Sequence, residues 1–309
     1  MSPRWQPSAP IENLQQRSEI LWTVREFFRH RGICEVQTPV VGSNTVTDLN
    51  IESVRLANGN FLQTSPEYFL KRLLAAGMPS CYQLGPVFRE GEAGQWHNPE
   101  FTMLEWYRLG FSTSELRQEL KELVELVLGP SDVIEYTFRD FLFNEFHLDC
   151  FEQSDEELHK VARAKGYSAD DRRTDVLDFL YSFAISRSKD SRFFVVDFPS
   201  DSCALAEVRK LDGNLVADRF ELIIDGLEIA NGYNELCDPI ELNHRMERDQ
   251  ALRSQLNRLL IEKDGRLLAA IEAGFPQCSG VAVGLDRLVG LSLGAEGIHR
   301  VLAFAEHHI

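Results

Sequence analysis

The sequence predicts an α+β fold in which an antiparallel β-sheet is flanked by helices, and three observations support this. First, an apolar strand at residues 82–88 is followed by a polar, Gly- and Pro-containing loop and a second strand at 101–109. Second, residues 10–31 carry apolar side chains at helical spacing. Third, a glycine-punctuated strand that begins at Cys278 runs directly into an apolar helix.

Length and composition narrow the class of protein. A chain of 309 residues can form one large domain or two small ones. Its 48 acidic and 32 basic residues give a formal net charge of -16, which argues against a large nucleic-acid footprint and suits a positively charged protein partner better. The six cysteines form no Cys-x-x-Cys pair, so we expect reduced thiols, no zinc site and a cytoplasmic location. No signal-peptide core and no apolar run of roughly 18 residues is present, so we expect no membrane association.

The first helix is expected at Pro10–Arg31, with Gly32 at its C-terminal cap, and residues 33–41 are expected to form a strand. Residues 49–56 and 61–63 are predicted as two strands joined by an Asn58-Gly59 turn. The next helix should begin at Pro66, with Ser65 as its N-cap and Glu67 in its first turn.

The hairpin at 82–109 is the most informative stretch. Arg89 leaves its first strand where the loop begins. On the second strand the side chains of Phe101, Met103, Glu105 and Tyr107 share one face, because side chains alternate with period two. A carboxylate on such a face is costly to bury unless a cation pairs with it. A lone Phe-Arg pair of this kind would also fit an ordinary surface hairpin.

Further along, a capped helix is expected at 112–128 and helical segments without a chemical motif at 131–190. Strands are expected at 193–198 and 220–224, and helices at 239–256 and 265–274. In the segment LEIANGYNEL the acids Glu228 and Glu235 are seven residues apart, so we expect a bulge or turn at Asn231-Gly232 to bring them to one face. Converging carboxylates favour a divalent cation. As two separate surface acids they would need no such explanation.

The run FREGEAGQWHNPEFTMLEWY resembles motif 2 of the class II aminoacyl-tRNA synthetases, in the lysyl-tRNA synthetase version. The helix and strand at about 10–41 resemble motif 1, the dimer-interface element, and residues 278–296 resemble motif 3. The resemblance implies a class II catalytic fold in which Arg89 holds the ATP α-phosphate, Phe101 lies against adenine and Arg287 binds the γ-phosphate.

The same resemblance implies further site residues. The segment SPEYFLK corresponds to the part that meets the substrate amino group, and LEIANGYNEL to the part whose acids Glu228 and Glu235 bind Mg2+ and ATP. The resemblance assigns amino acid binding to Ser65, Pro66, Glu67, Glu105, Tyr107, Asn231, Glu235 and Ala282. It assigns nucleotide binding to Arg89, Glu90, Gly91, Asn98, Phe101, Glu228, Ile229, Gly284 and Arg287.

Two positions depart from the lysyl-tRNA synthetase pattern. The usual motif 2 glutamate position is Gly91, and either Glu90 or Glu92 is expected to substitute for it. Ala282 stands where glycine is usual on the pocket-lining strand. One such methyl group is worth roughly 1–3 kcal/mol of discrimination, so α-lysine is not expected to be the preferred substrate.

A catalytic domain of this length without an anticodon-binding domain resembles the family of bacterial elongation factor P–(R)-β-lysine ligases. That family activates (R)-β-lysine with ATP and transfers it to a lysine of elongation factor P. The resemblance implies a single catalytic domain over 1–309 with an insertion at about 131–190, ATP and Mg2+ as requirements, and a homodimer, with tRNA an unlikely partner. The alternatives are a truncated lysyl-tRNA synthetase-like enzyme that uses α-lysine and tRNA, and a catalytically silent regulatory paralogue.

Overall fold

The computed structural model describes residues 5–169, 172–189 and 191–306. Its helices within these ranges are α1 Ile11–His30, α2 Glu67–Ala75, α3 Thr113–Leu128, α4 Phe138–Phe146, α5 Asp155–Ala164, α6 Arg173–Ile185, α7 Pro239–Gln255, α8 Gly265–Glu272 and α9 Leu285–Ser292. Its strands are β1 Cys34–Glu35, β2 Val41–Gly42, β3 Phe61–Leu62, β4 Cys81–Phe88, β5 Glu100–Leu109, β6 Ile134–Thr137, β7 Arg192–Pro199, β8 Val208–Leu211, β9 Asn214–Ile224, β10 Leu227–Asn234 and β11 Cys278–Gly284. None of the helices in the described ranges combines the length and the apolar character that a bilayer crossing requires.

The chain divides into two compact units. The first unit contains the residues up to Pro130 and those from Leu236 onward, and the second contains Ser131–Glu235. The segment 131–190, which we expect to be an insertion, falls entirely within the second unit. Each unit has its own internal packing. The expectation that residues 1–309 form a single catalytic domain therefore stays a prediction.

In the first unit, four strands form a sheet in the order β1-β4-β5-β11. β1 is parallel to β4, whereas β5 is antiparallel to both β4 and β11. The core beside this sheet is aromatic: the Phe28 ring of α1 stacks on Tyr82 of β4 at 4.3 Å and meets Trp106 of β5 edge-on at 5.2 Å. Because side chains alternate along a strand, Glu105 and Tyr107 point to the face opposite Trp106. The sheet therefore has an apolar face toward α1 and a polar face that is available for a site.

The predicted first helix is confirmed, and Gly32 follows it with a φ of +66°, which suits glycine. The predicted strand at 33–41 is wrong, because the structure has only the two-residue strands β1 and β2 there. The N–H of Thr38 donates to the side chain of Gln83 at 2.7 Å, and Pro39 has no N–H to donate. The middle of this segment therefore cannot continue the backbone ladder.

The predicted strand at 49–56 is also wrong, apart from a single bridge between Arg55 and Phe61. The carbonyl groups in and beside this segment accept hydrogen bonds from arginine side chains instead: Arg253 of α7 donates to residues 47, 48 and 51, and Arg258 donates to Leu49. The Asn58-Gly59 turn is present, with Gly59 at a φ of +89°. Side chains from a distant part of the sequence thus decide the conformation of this segment.

Helix α2 begins at Glu67, one residue later than predicted, so its N-cap is Pro66 and the prediction of Ser65 at that position is wrong by one residue. Ser65 Oγ nevertheless accepts a hydrogen bond from the Glu67 N–H at 2.9 Å, which is the contact expected of a residue that caps the helix. The predicted capped helix at 112–128 is confirmed as α3, in which Ser112 and Glu115 form a capping box.

In the second unit, four strands follow the order β10-β9-β7-β6, and β8 pairs with the N-terminal part of β9. The pairs are antiparallel, except for β6 and β7, which are parallel. Helices α4, α5 and α6 bury their apolar faces in one core with β7 and β9. The strands expected at 193–198 and 220–224 are confirmed as parts of β7 and β9, whereas β6 and β8 have no counterpart in the sequence-based expectation.

Candidate active site

The polar face of the first unit centres on Glu105, which is 3% exposed. Ser65 Oγ donates to one carboxylate oxygen of Glu105 at 2.6 Å, and the Tyr107 hydroxyl donates to the other at 2.8 Å. The alternation on β5 brings Glu105 and Tyr107 to one face, and the turn before α2 brings Ser65 to them. The structure therefore brings three of the predicted amino acid-binding residues together, with the buried Glu105 at their centre.

Ala282 lies directly opposite Glu105 in the pairing of β11 with β5. Directly opposed residues of an antiparallel pair have their side chains on the same face, with Cβ atoms about 4.5–5.5 Å apart. Gly280 and Gly284 occupy the equivalent positions opposite Tyr107 and Met103. The strand next to Glu105 thus carries one methyl group between two glycines, and that methyl group bounds the space beside the acid.

The carboxylate of Glu67, which is predicted to bind the substrate, forms an ion pair within the protein. Its Oε1 atom accepts from Nζ of Lys71 at 2.7 Å, one turn further along α2, and Lys71 is 2% exposed. A buried ammonium needs such a partner, and the pair neutralises most of the charge that Glu67 would otherwise offer to a substrate. The sequence interpretation missed Lys71, although its spacing of four residues from Glu67 was a usable signal.

Arg89 lies beside Phe101, and the roles of both residues toward ATP stay predictions. The guanidinium carbon of Arg89 is 5.2 Å from the centre of the Phe101 ring, a cation–π distance. The backbone N–H of Arg89 donates to the carbonyl of Pro99 at 2.9 Å, so the two ends of the motif 2 loop are joined at this residue. The carboxylate of Glu92 approaches the Arg89 side chain to 3.5 Å.

The motif 2 loop has a local reason for glycine at position 91. Gly91 has a φ of +77°, in the left-handed region that side chains other than glycine rarely adopt. Of the two acids expected to substitute there, Glu92 faces Arg89, whereas Glu90 is exposed and its N–H donates to the carbonyl of Glu52. Glu92 is therefore better placed than Glu90 to substitute for the motif 2 glutamate. Its role toward the nucleotide stays a prediction.

Arg287, at the start of α9, contacts the far part of the motif 2 loop. Its Nε donates to the carbonyl of Trp96 at 3.1 Å, and its Nη2 lies 2.6 Å from Nε2 of His97. The neighbouring Asp286 is buried, forms an ion pair with Arg17 of α1 and accepts from the Thr102 N–H of β5 at 2.7 Å. The three segments that resemble motifs 1, 2 and 3 thus meet at one buried carboxylate.

Asn98, predicted to help place the nucleotide, uses its side-chain amide within the protein. Its Nδ2 donates to the carbonyl of Glu100 at 2.7 Å, and its Oδ1 accepts from the Glu306 N–H at 2.9 Å. Asn98 is buried. In this structure it fixes the end of the loop that leads into β5.

In the second unit, the expected bulge at Asn231-Gly232 is wrong in position. These two residues pair regularly with Glu221 and Phe220, and the irregularity falls at Ile229. One extra residue at a bulge reverses which face the following side chains point to. Consequently Glu228 and Asn231, which regular alternation would separate, lie on the same face of β10.

A buried charge cluster, missed by the sequence interpretation, shares that face. Glu221 of β9 lies opposite Asn231, forms an ion pair with Arg219 and accepts from the Tyr181 hydroxyl at 2.8 Å. Arg219 also donates to Oδ1 of Asn231 at 3.2 Å. Burial, together with the charge of Glu228, raises the pKa of Glu221 to about 7. An Arg and a Glu two residues apart in the apolar strand RFELII were the available signal.

The donor set of this face fits a magnesium ion. Mg2+ keeps several waters and is bound by one or two carboxylates together with substrate phosphates. Glu221 gives one carboxylate oxygen to Arg219 and the other to Tyr181, which leaves Glu228 and Glu235 as the acids that could hold the ion. Glu235, 1% exposed, follows directly after β10 and makes a single bridge to Ala206. Within the described ranges, no group of three or more His, Cys, Asp or Glu side chains has the arrangement of an all-protein metal site.

Comparison with known proteins identifies the class that this fold and these residues define. The family model for class II tRNA synthetases (D, K and N) matches residues 7–308. The chain belongs to the class II tRNA synthetases, and the class II catalytic fold expected from the sequence is confirmed.

Particular relatives are named elongation factor P–(R)-β-lysine ligase. The protein of that name from Vibrio cholerae is 41% identical over 315 residues, which cover 97% of this chain and 97% of the relative. The one from Pasteurella multocida is 42% identical over 97% of each chain, and the one from Haemophilus ducreyi is 42% identical over 97% of this chain and 95% of the relative. The resemblance inferred from the motifs is thus confirmed over nearly the whole chain.

Proposed function

We propose that this chain is an ATP-dependent ligase that activates (R)-β-lysine as an aminoacyl-adenylate and transfers it to a lysine side chain of elongation factor P. The observation that carries the choice of amino acid is the register that sets the methyl group of Ala282 beside Glu105. That methyl group narrows the space next to the acid that we expect to bind an amino group, and it favours an amino acid whose amino group is displaced from the α-carbon. Relatives of this name that match nearly the whole chain support the same choice.

In the activation step, the carboxylate of the amino acid attacks the α-phosphorus of ATP, and the bond to the bridging oxygen breaks to release pyrophosphate. No side-chain nucleophile is needed, so the contribution of the protein is positioning and neutralisation of charge. We assign Arg89 to the α-phosphate and Arg287 to the γ-phosphate, with adenine against Phe101. The contact between Arg89 and Phe101 supports this pairing, because one residue would hold phosphate where the other holds the base.

For recognition of the amino acid, we assign Glu105 the central part. Ser65 and Tyr107 each donate to one of its oxygens, which fixes the orientation of the carboxylate. Glu67, Glu235 and Asn231 are proposed to complete the recognition of the two ammonium groups of the diamine. Because Lys71 already pairs with Glu67, we expect Glu67 to contribute less than Glu105.

We assign Mg2+ to Glu228 and Glu235, because both oxygens of the nearby Glu221 carboxylate are taken by Arg219 and Tyr181. Bound there, Mg2+ would supply positive charge to the phosphate oxygens of ATP. Ile229, at the bulge, would contribute main-chain contacts to the nucleotide, as would Gly284 on β11.

In the transfer step, the ε-amine of the acceptor lysine attacks the carbonyl carbon of the adenylate. An amide bond forms, the bond to AMP breaks, and the attacking nitrogen loses a proton. The acceptor acts in translation, so we expect the reaction in the cytoplasm. We also propose a homodimer formed through α1 and the strand that follows it, where Trp22 is 60% exposed beside a groove that includes Tyr82.

The test measures ATP–pyrophosphate exchange with (R)-β-lysine and with α-lysine side by side. Intact-mass measurement of elongation factor P and charging of tRNA then follow the product of each. The proposal predicts much faster exchange with (R)-β-lysine, a mass gain of one lysine residue on elongation factor P, and no charged tRNA.

Two other outcomes would each overturn it. Equal or faster exchange with α-lysine, with label on tRNA, would indicate a truncated lysyl-tRNA synthetase-like enzyme. Absence of exchange with either amino acid would indicate a silent regulatory paralogue. The formal net charge of -16 disfavours the first alternative, and the presence of Arg89, Arg287, Glu228 and Glu235 disfavours the second.

A further inference from the structure

The indole ring of Trp96, in the motif 2 loop, occupies a notch in helix α9 that exists because residue 290 is glycine. A Cβ atom at Gly290 would lie 2.6 Å from Cζ3 and 3.1 Å from Cη2 of Trp96. Contacts of 2.6 Å are not found between real side chains, so a methyl group here and the ring in this position exclude each other. Gly290 is buried and its backbone is helical, so conformational freedom is not what calls for glycine. Close approach of the ring is the reason.

The segment that carries this ring is also fastened to the chain around α9. The carbonyl of Gln95 accepts from the Ile298 N–H at 2.8 Å, and the Gln95 side chain donates to the carbonyl of Glu296 at 2.6 Å. The carbonyl of Trp96 itself accepts from Nε of Arg287. Trp96 thus makes both contacts: its ring occupies the notch, and its carbonyl accepts from the guanidinium of Arg287.

We propose that Trp96 and Gly290 form a lock that positions Arg287 for the phosphate chain of ATP. This inference rests on the proposed function, in which Arg287 binds ATP. An arginine side chain has many rotamers, and a guanidinium binds phosphate well only in a fixed orientation. The Trp96 carbonyl and His97 supply that orientation before ATP arrives, and the ring in its notch keeps the carbonyl in place. Trp96 is therefore a positioning residue rather than a catalytic one.

The test uses the substitution Gly290→Ala in the full chain, because the added methyl group forces the ring out of the notch. We expect KM for ATP in pyrophosphate exchange to rise by about 10-fold, since small misplacements of a binding group cost one to two orders of magnitude. The Kd of a non-hydrolysable ATP analogue should rise in parallel. KM for the amino acid should not change, because the carboxylate of Glu105 is held by Ser65 and Tyr107, neither of which belongs to the lock. Trp96→Ala removes the ring from the other side and should raise the same two quantities.

Compensation separates the lock from a general loss of stability. In the double variant Gly290→Ala with Trp96→Phe, the smaller ring leaves space for the methyl group, so ATP affinity should be better than in Gly290→Ala alone. Gly265→Ala, at the start of α8, is the matched control: no atom lies within 4 Å of its added methyl group, so it should behave as the wild type.

Two results would overturn the lock while leaving the proposed function intact. One is a wild-type ATP affinity in Gly290→Ala. The other is an equal loss of ATP and amino acid affinity that Trp96→Phe does not compensate. A wild-type protein that binds the ATP analogue but exchanges no pyrophosphate would instead overturn the proposed function, and the analogue measurements would still decide the lock.

Discussion

Replacement of Ala282 by glycine should shift the choice of amino acid toward α-lysine. The change removes one methyl group opposite Glu105, at a half-buried position on β11. One methylene-sized difference in a pocket is worth roughly 1–3 kcal/mol. Because Ala282 is only half-buried, we expect the lower part of that range, about 1–2 kcal/mol, which corresponds to about a 5- to 30-fold change in the ratio of kcat/KM values.

The assay is pyrophosphate exchange with (R)-β-lysine and α-lysine, measured on the wild type and on Ala282→Gly. Glycine inside a strand also destabilises by about 0.5–1 kcal/mol, so stability must be measured alongside. Val281→Ala is the control, because Val281 is buried on the opposite face of the same strand, where it pairs with Trp106. It should lower the free energy of unfolding without changing the ratio of the two substrates.

An unchanged ratio in Ala282→Gly would refute the reasoning that this methyl group selects the amino acid. A ratio that changes equally in Val281→Ala would refute it too, since the effect would then follow stability and not the space beside Glu105.

The other predictions concern charge and assembly. Arg89→Ala should abolish adenylate formation and leave the circular dichroism spectrum unchanged; turnover at the wild-type rate would remove Arg89 from the phosphate site. Lys71→Met leaves the half-buried carboxylate of Glu67 without its cation, so urea denaturation should show a free energy of unfolding lower by about 1–3 kcal/mol. An unchanged midpoint would mean that the pair contributes nothing. Trp22→Glu places a charge on the expected dimer surface, and light scattering should then report the monomer mass where the wild type gives twice that mass. Identical masses for both proteins would argue against α1 as the interface.

Long periodic segments of this fold were predictable from the sequence. The apolar spacing of α1 and the capping box of α3 use contacts within a few residues, so the local sequence contains all that is needed. The hairpin of β4 and β5 was predictable for the same reason, since alternation on each strand and a polar loop between them define the pair. The segment 49–56 was not, because the arginines at 253 and 258 bind carbonyl groups that a strand would have used.

The candidate site divides in the same way. Residues that share one strand face, such as Glu105 and Tyr107, can be grouped from the sequence alone, because alternation is a local property of a strand. Partners that are distant in the sequence cannot be grouped in this way. Tyr181 donates to Glu221, 40 residues further along the chain, because the folding of the second unit brings the two side chains together. The position of the bulge at Ile229 also depends on the pairing of β10 with β9, which no single segment specifies.

The sequence by itself determined the class of this protein, because the residues that carry the family resemblance stand in short contiguous motifs. The tertiary structure alone decided how those motifs support one another. Asp286 joins the three motifs through Arg17 and Thr102, and Trp96 enters the notch at Gly290. The ion pair of Arg17 with Asp286 joins residues 269 positions apart, and only the packing of the folded chain brings such groups within bonding distance.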